Sequence, residues 1–123
     1  MKYVLLLYGD ELGWDTLSPA DQQRIIEETR RNSEQMKSSG HYVSAAPLQP
    51  TSTATCVRVR DGKRLLTDGP FAETKEQLGG FCLIEAKDLD DAIGIATRHP
   101  AVSSGWGTAE IRPVRQIPGL SNG

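Results

Sequence analysis

KYVLLLY, Lys2–Tyr8, decides how this chain folds. Its two alternating sets are both apolar: Tyr3, Leu5 and Leu7 on one side, Val4, Leu6 and Tyr8 on the other. A strand with one wet face alternates apolar and polar residues, so this one is predicted to lie centrally in a sheet and to be covered from both sides. The cover has to come from the rest of the chain. Gly9–Leu17 reads as a connecting loop with Trp14 folded back onto the body. Ser18-Pro19-Ala20-Asp21 then opens a helix, with a hydroxyl at the N-cap, proline at the first helical position and an acid at the third, and Gly40 closes it. Its inward stripe is predicted as Ile25, Ile26, Thr29, Ser33 and Met36; Glu27–Arg31, Arg24–Glu28 and Arg30–Glu34 are spaced to pair on its wet face.

Further stretches read as strands. Tyr42–Ala46 is broken by Pro47-Leu48-Gln49-Pro50. Thr53–Arg60 and Lys63–Thr67 flank Asp61-Gly62, the residue pair that a type I′ hairpin needs. Phe81–Ala86 alternates Phe81, Leu83 and Glu85 against Cys82, Ile84 and Ala86. Asp88, with Asp91 three residues on, caps a second helix whose buried stripe is read as Leu89, Ala92, Ile93 and Ala96; Pro100 stops it. After a small-residue loop, Ala101–Gly107, the last strand Thr108–Arg115 carries Pro113, which cannot donate to a ladder and so belongs at a sheet edge. The plan is βαββαβ with an inserted hairpin: an α+β, ferredoxin-like antiparallel sheet with two helices on one face. Nothing remains in the chain to cover the other face. A homodimer packed sheet to sheet, with the hairpin reaching across, follows from the pattern.

At 123 residues the chain is the size of one domain, read as 1–117, with a disordered tail at 118–123. A net charge of -2 with both signs interspersed gives no footprint for nucleic acid or an anionic membrane. The apolar run at the start is too short for a signal segment or a bilayer span, so the expected location is cytoplasmic. Cys56 and Cys82 have no metal-ligand or disulfide spacing and are read as buried packing residues. With neither a glycine fingerprint nor a histidine cluster, no cofactor or metal is expected.

Between the hairpin and the next strand lies Thr67–Gly80, TDGPFAETKEQLGG, too polar for a core strand and too rich in glycine and proline for a helix. Asp68, Gly69, Pro70, Phe71, Ala72, Glu73, Thr74, Lys75 and Glu76 spell DGPFAETKE. With the opening KYVLLLYGDE, the VRVRDG hairpin and the LGGF after the motif, the chain resembles the YCII-related proteins, and within them the subgroup named for that nine-residue motif. The resemblance implies a ferredoxin-like fold assembled as a dimeric α/β barrel. It also implies a suspected enzyme, and a neighbourhood with extracytoplasmic-function sigma factors. The suspected catalytic pair of the wider group, a histidine on the first long helix and an aspartate before a proline, falls here on Thr29 and on His99-Pro100. Neither is preserved, so that mechanism does not carry over.

Candidate site residues are therefore read afresh. His99 follows the buried stripe of its helix into the last turn, where the helix dipole favours imidazolium; it reads either as an acid/base group or as a capping residue. Asp68 reads as turn-former or as site residue, and Phe71 as core plug or pocket wall. Thr74, Lys75 and Glu76, with Glu73, read as solvated loop or as a functional, dimer-locking element. Tyr8 and Asp10 end the central strand, where a pocket between the sheet and the first long helix would be lined by Thr29 and Ser33, unless those hydroxyls bond back to their own helix. His41 is read as surface. Two functions compete: binding of a small, partly polar molecule, with His99 and Asp68 in proton transfer, or a non-catalytic partner role toward a sigma factor through the motif loop.

Overall fold

The structure, a computed structural model, describes residues 1–120. Six strands and four helices succeed one another as β1 (Lys2–Gly9), α1 (Glu11–Thr16), α2 (Pro19–Ser38), β2 (Tyr42–Pro47), β3 (Thr55–Arg60), β4 (Lys63–Asp68), β5 (Gln77–Glu85), α3 (Leu89–Arg98), α4 (Pro100–Ser103) and β6 (Gly107–Pro113). A four-stranded sheet has the order β2-β5-β1-β6, and each neighbouring pair is antiparallel. This is the ferredoxin-like arrangement, and β1 is one of its two inner strands. β6, with Pro113, is an edge. The hairpin β3–β4 forms a separate two-stranded sheet. Asp61 and Gly62 both have positive φ, 52° and 73°, as the tight turn requires.

The two long helices start as their caps dictate: Ser18 accepts from Asp21 N at 3.1 Å and Asp88 from Asp91 N at 2.9 Å. They cover one face of the sheet. Tyr3, Leu5, Cys82, Ile84 and Ala86 from the strands form a buried cluster with Met36 of α2 and Ala92, Ile95 and Ala96 of α3. Loss of hydration pushes the Cys82 thiol up to about 11, so it stays protonated and inert. Cys56 is only half-buried, and its Sγ donates to Gly69 O at 3.2 Å, because the hairpin it belongs to has no core of its own.

Several local expectations change. The stretch after β1 is not a loop: Asp10 accepts from Leu12 N at 3.0 Å and caps the short helix α1. Trp14 does fold back, edge-on to Trp106 with ring centres 6.0 Å apart. Thr51–Thr53 is a turn of 3₁₀ helix, so β3 starts two residues late. β5 starts at Gln77, not Phe81: Leu48 N donates to Gly79 O at 2.9 Å, and a Cβ on Gly80 would lie 3.1 Å from Ala46 O. The Gly79-Gly80 pair therefore belongs to the sheet, where two backbones approach closely. Ile25, Thr29, Ser33 and Met36 of α2 and Ala92 and Ala96 of α3 are buried or half-buried as read, whereas Ile26, Leu89 and Ile93 are exposed and Ile95 is buried in their place. Arg30 pairs with Glu27 at 2.6 Å rather than with Glu34. Part of the small-residue loop is the helix α4. At the tail, Leu120 N closes a turn on Ile117 O, and 121–123 lie outside the described residues.

Candidate functional site

The other face of the sheet is uncovered. Alternation from Tyr3 and Leu5 sends Val4 and Leu6 to that side, and the register places Leu83 opposite Val4 and Phe81 opposite Leu6. All four are half-buried. Toward the β6 edge the same face turns polar, since Arg112 lies opposite Val4, Glu110 opposite Leu6 and Thr108 opposite Tyr8.

The C-terminal end of β1 is where this polarity gathers. The Tyr8 hydroxyl donates to Glu110 Oε1 at 3.2 Å. Its ionisation is pushed above the usual phenol range, first by lost hydration and then by the Glu110 carboxylate, so at neutral pH it is a hydrogen-bond donor. Thr108 Oγ1 donates to Glu76 Oε2 at 3.3 Å, which brings the last residue of the DGPFAETKE loop to the same corner. Neighbouring bonds hold the loop there. Gln77 Nε2 donates to Thr74 O at 2.6 Å, Gln77 Oε1 accepts from Glu11 N at 3.0 Å, and the Glu11 carboxylate accepts from Thr51 N at 2.8 Å and Thr51 Oγ1 at 2.7 Å. Beneath them Trp106 lies so close over Gly9 that a Cβ there would fall 2.0 Å from its ring.

Tyr8 and Glu76 thus meet at one corner, joined through Thr108. Asp10 is the cap of α1, adjoining this corner in sequence. The Thr74 hydroxyl donates to Glu76 O, a bond within the loop itself, and Lys75 is exposed. Thr29 and Ser33 are elsewhere: they sit half-buried on α2, which covers the opposite face of the sheet from Tyr8. One pocket cannot hold all of them, because successive side chains of β1 point to opposite faces. The Thr29 hydroxyl is also engaged, donating to Ile25 O at 2.8 Å.

His99 is buried, 6% exposed, at the bend between α3 and α4. Its Nδ1 accepts from Ala101 N at 3.1 Å, so it caps the start of α4 while its backbone N–H closes the end of α3 on Ala96 O. Burial lowers its pKa, contrary to the dipole expectation. An Nδ1 that accepts leaves the proton on Nε2, which makes a neutral hydrogen-bond donor. Asp68 is exposed at the root of the hairpin, and no hydrogen bond or ion pair joins it to His99 among the described residues. Phe71 does not plug the core: it is 82% exposed, with the Arg58 guanidinium 5.8 Å from its ring centre. His41 is half-buried, bonded to Ser39 Oγ at 2.8 Å, with Asp91 at 3.8 Å.

Glu110 and Thr108 escaped the sequence reading. The signal was there: Thr108, Glu110 and Arg112 alternate as a polar set on a strand paired with β1, whose matching face is apolar. No group of three or more His, Cys, Asp or Glu among the described residues is placed to hold a metal ion, and none of their helices is long and apolar enough to cross a membrane.

A model of the YCII-related domain matches residues 1–118. The chain belongs to the YCII-related family. A relative from Rhizobium meliloti (strain 1021), itself an uncharacterised protein, is 34% identical over 114 residues, which is 93% of this chain and 92% of the relative. Among solved structures, the chain is similar to 5-chloro-2-hydroxyhydroquinone dehydrochlorinase (TftG) of Burkholderia phenoliruptrix AC1100, in complex with 2,5-dihydroxybenzoquinone. The TM-score is 0.51 at 14% identity, covering 95% of this chain and 96% of that one. That likeness is one of fold, and it agrees with the antiparallel sheet and paired helices of this YCII-related domain.

Proposed function

We propose that this protein is a homodimer that binds a small, partly polar molecule at the Tyr8 corner of the open sheet face. The observation that carries the reading is that face itself: an apolar centre, Val4, Leu6, Phe81 and Leu83, left without cover and bordered by Tyr8, Thr108 and Glu110. A second copy laid on it would shield the apolar centre and roof the polar corner. A phenol that stays protonated beside a carboxylate can donate to one ligand oxygen while Glu110 accepts from another group, an arrangement suited to a hydroxylated ring or an enol. The dehydrochlorinase of similar fold holds a dihydroxybenzoquinone, which makes that compound a sensible first probe. Proton transfer belongs to Tyr8 and Glu110 in this reading; His99 contributes shape and a neutral donor, and Asp68 lies away at the hairpin root.

Two measurements test it. Sedimentation equilibrium at micromolar concentration gives about twice the 13.4 kDa chain mass for the wild type and the chain mass for Leu6→Glu; a wild-type monomer sinks the proposal. Calorimetry with 2,5-dihydroxybenzoquinone gives binding that Tyr8→Phe and Glu110→Gln each weaken about tenfold, the loss of one hydrogen bond to a charged or desolvated group. Equal affinity in both variants places any site elsewhere.

The exposed Phe71 supports a second reading, in which the motif loop docks a protein partner; the resemblance suggests an extracytoplasmic-function sigma factor. Retention of that partner by wild type and equally by a Phe71→Ala, Lys75→Ala variant rules it out.

A further inference from the structure

On the far side of the molecule, two adjoining clefts of about 100 and 270 Å³ run along the seam between α2 and the α3–α4 bend. Asn32, Gln35 and Arg98 line both, and none of the residues expected from sequence lines either. The floor is apolar, from Met36, Ile95 and Pro100; the walls are donors. Most cations along α2 already have partners: Arg24 lies near Asp21 and Glu28, and Arg30 and Arg31 near Glu27. At the seam Ser39, His41 and Arg31 are engaged, with Ser39 Oγ bonded to Met36 O and His41 Nδ1, and Arg31 near Glu27, but other donors are uncommitted. Among the described residues Arg98 makes no ion pair, the Gln35 side chain and Ser103 hydroxyl make no hydrogen bond, and the Asn32 amide reaches only the Met36 thioether at 3.8 Å. Glu28 lines the larger cleft as well, with Arg24 3.9 Å away.

A second feature leaves room for the guanidinium beside the cleft. Gly94, one helical turn before Arg98, has no side chain, and Arg98 Nη1 lies 3.3 Å from where a Cβ there would be. Arg98 is exposed, with its guanidinium lying back over Gly94 at the mouth of the cleft. We infer that the seam binds a small oxyanion, the carboxylate or phosphate group of a compact metabolite, held by Arg98 with the Asn32 and Gln35 amides. A planar guanidinium flanked by two amides offers several N–H donors to one anionic group, and the apolar floor accepts a short carbon skeleton. This site is independent of the Tyr8 corner, which lies across the sheet, so either proposal can fail alone.

The test is nuclear magnetic resonance titration of the full chain at low salt, monitoring the side-chain amides of Asn32 and Gln35 and the Arg98 Nε–H. Inorganic phosphate and benzoate are separate arms, and the tighter one identifies the head group. Saturable shifts at these three groups are expected, with the dissociation constant about tenfold weaker in Arg98→Met. Gly94→Ala keeps the charge and favours the helix, yet displaces the guanidinium by a few tenths of an ångström; it weakens binding severalfold while raising the melting temperature. Arg64→Met, on the hairpin, leaves binding unchanged. The inference is overturned if neither anion gives saturable shifts at tens of millimolar, or if Arg98→Met or Gly94→Ala binds as tightly as the wild type.

Discussion

Leu5 and Leu6 are adjacent in one strand, yet the first is fully buried in a finished core and the second is half-buried on an apolar surface that no helix among the described residues covers. The hairpin extends the contrast. Val57, Val59, Leu65 and Leu66 are all exposed, at 65, 68, 44 and 58%, in a pair of strands that cannot be stable alone in water. The helix-covered face accounts for the stability of the subunit. The bare face and the hairpin are where the contact proposed above would form, since large unpartnered apolar surface on a folded chain commonly marks an interaction site.

Five substitutions probe that difference. Leu5→Ala should cost the subunit about 2–5 kcal/mol, from lost transfer energy and a cavity the packed helices cannot close. Urea unfolding at high dilution measures it, and Leu6→Ala under the same conditions should cost well under half as much; equal losses would mean that the two faces are equally covered. Gly9→Ala comes next. The new methyl would fall inside the Trp106 ring, and displacing that ring should cost about 1–3 kcal/mol, with a changed near-ultraviolet tryptophan signal as the accompanying sign.

His99 gives a smaller, pH-dependent effect. Its folded pKa lies below the ordinary 6.5, so the unfolded chain takes up a proton that the folded chain resists. That contribution is complete above the unfolded pKa and is lost as pH falls below it toward the folded value. His99→Asn keeps a capping oxygen for Ala101 N but cannot titrate, so its stability should fall less steeply than that of the wild type on acidification from neutral pH. Parallel curves would show that the imidazole is not shielded by the core. Smallest of all, Leu66→Thr on the hairpin should change subunit stability by no more than about 0.5 kcal/mol, while weakening self-association; a large loss in the isolated subunit would reveal a contact between hairpin and body.

Where the residues carry their own signal, sequence and structure agree: the double apolar alternation of β1, the Asp61-Gly62 turn, and the caps Ser18 and Asp88. Disagreement comes where a partner distant in sequence decides. Gly13 breaks any helical reading of α1, yet Asp10 caps it, Glu11 is tied to Thr51 and Gln77, and the Trp106 indole nitrogen passes 3.5 Å from a Cβ built on Gly13. Gly79-Gly80 reads as a loop until Ala46 of β2 and Leu48 just beyond it, more than thirty residues away, are set beside it. At the candidate site, Tyr8 and Asp10 were legible as the end of the central strand, but the expected pocket set them with Thr29 and Ser33, not with the motif loop. Thr108 and Glu110 were not legible, since only the register of β6 on β1 puts them opposite Tyr8 and Leu6.

By itself, then, the sequence determined which stretches alternate, which turns are tight and which helices are capped, because those properties depend on residues a few positions apart. It also determined the order of the strands and the two long helices, and from that the ferredoxin-like plan. Only the tertiary structure decided which side chains share a face of the sheet, that His99 spends its Nδ1 on Ala101, that Thr29 and Tyr8 are divided by the sheet, and that Arg98 rests over Gly94. Those outcomes depend on strand register and helix rotation, where a shift of one residue or a fraction of a turn sends a side chain to the opposite side, and no local pattern records it.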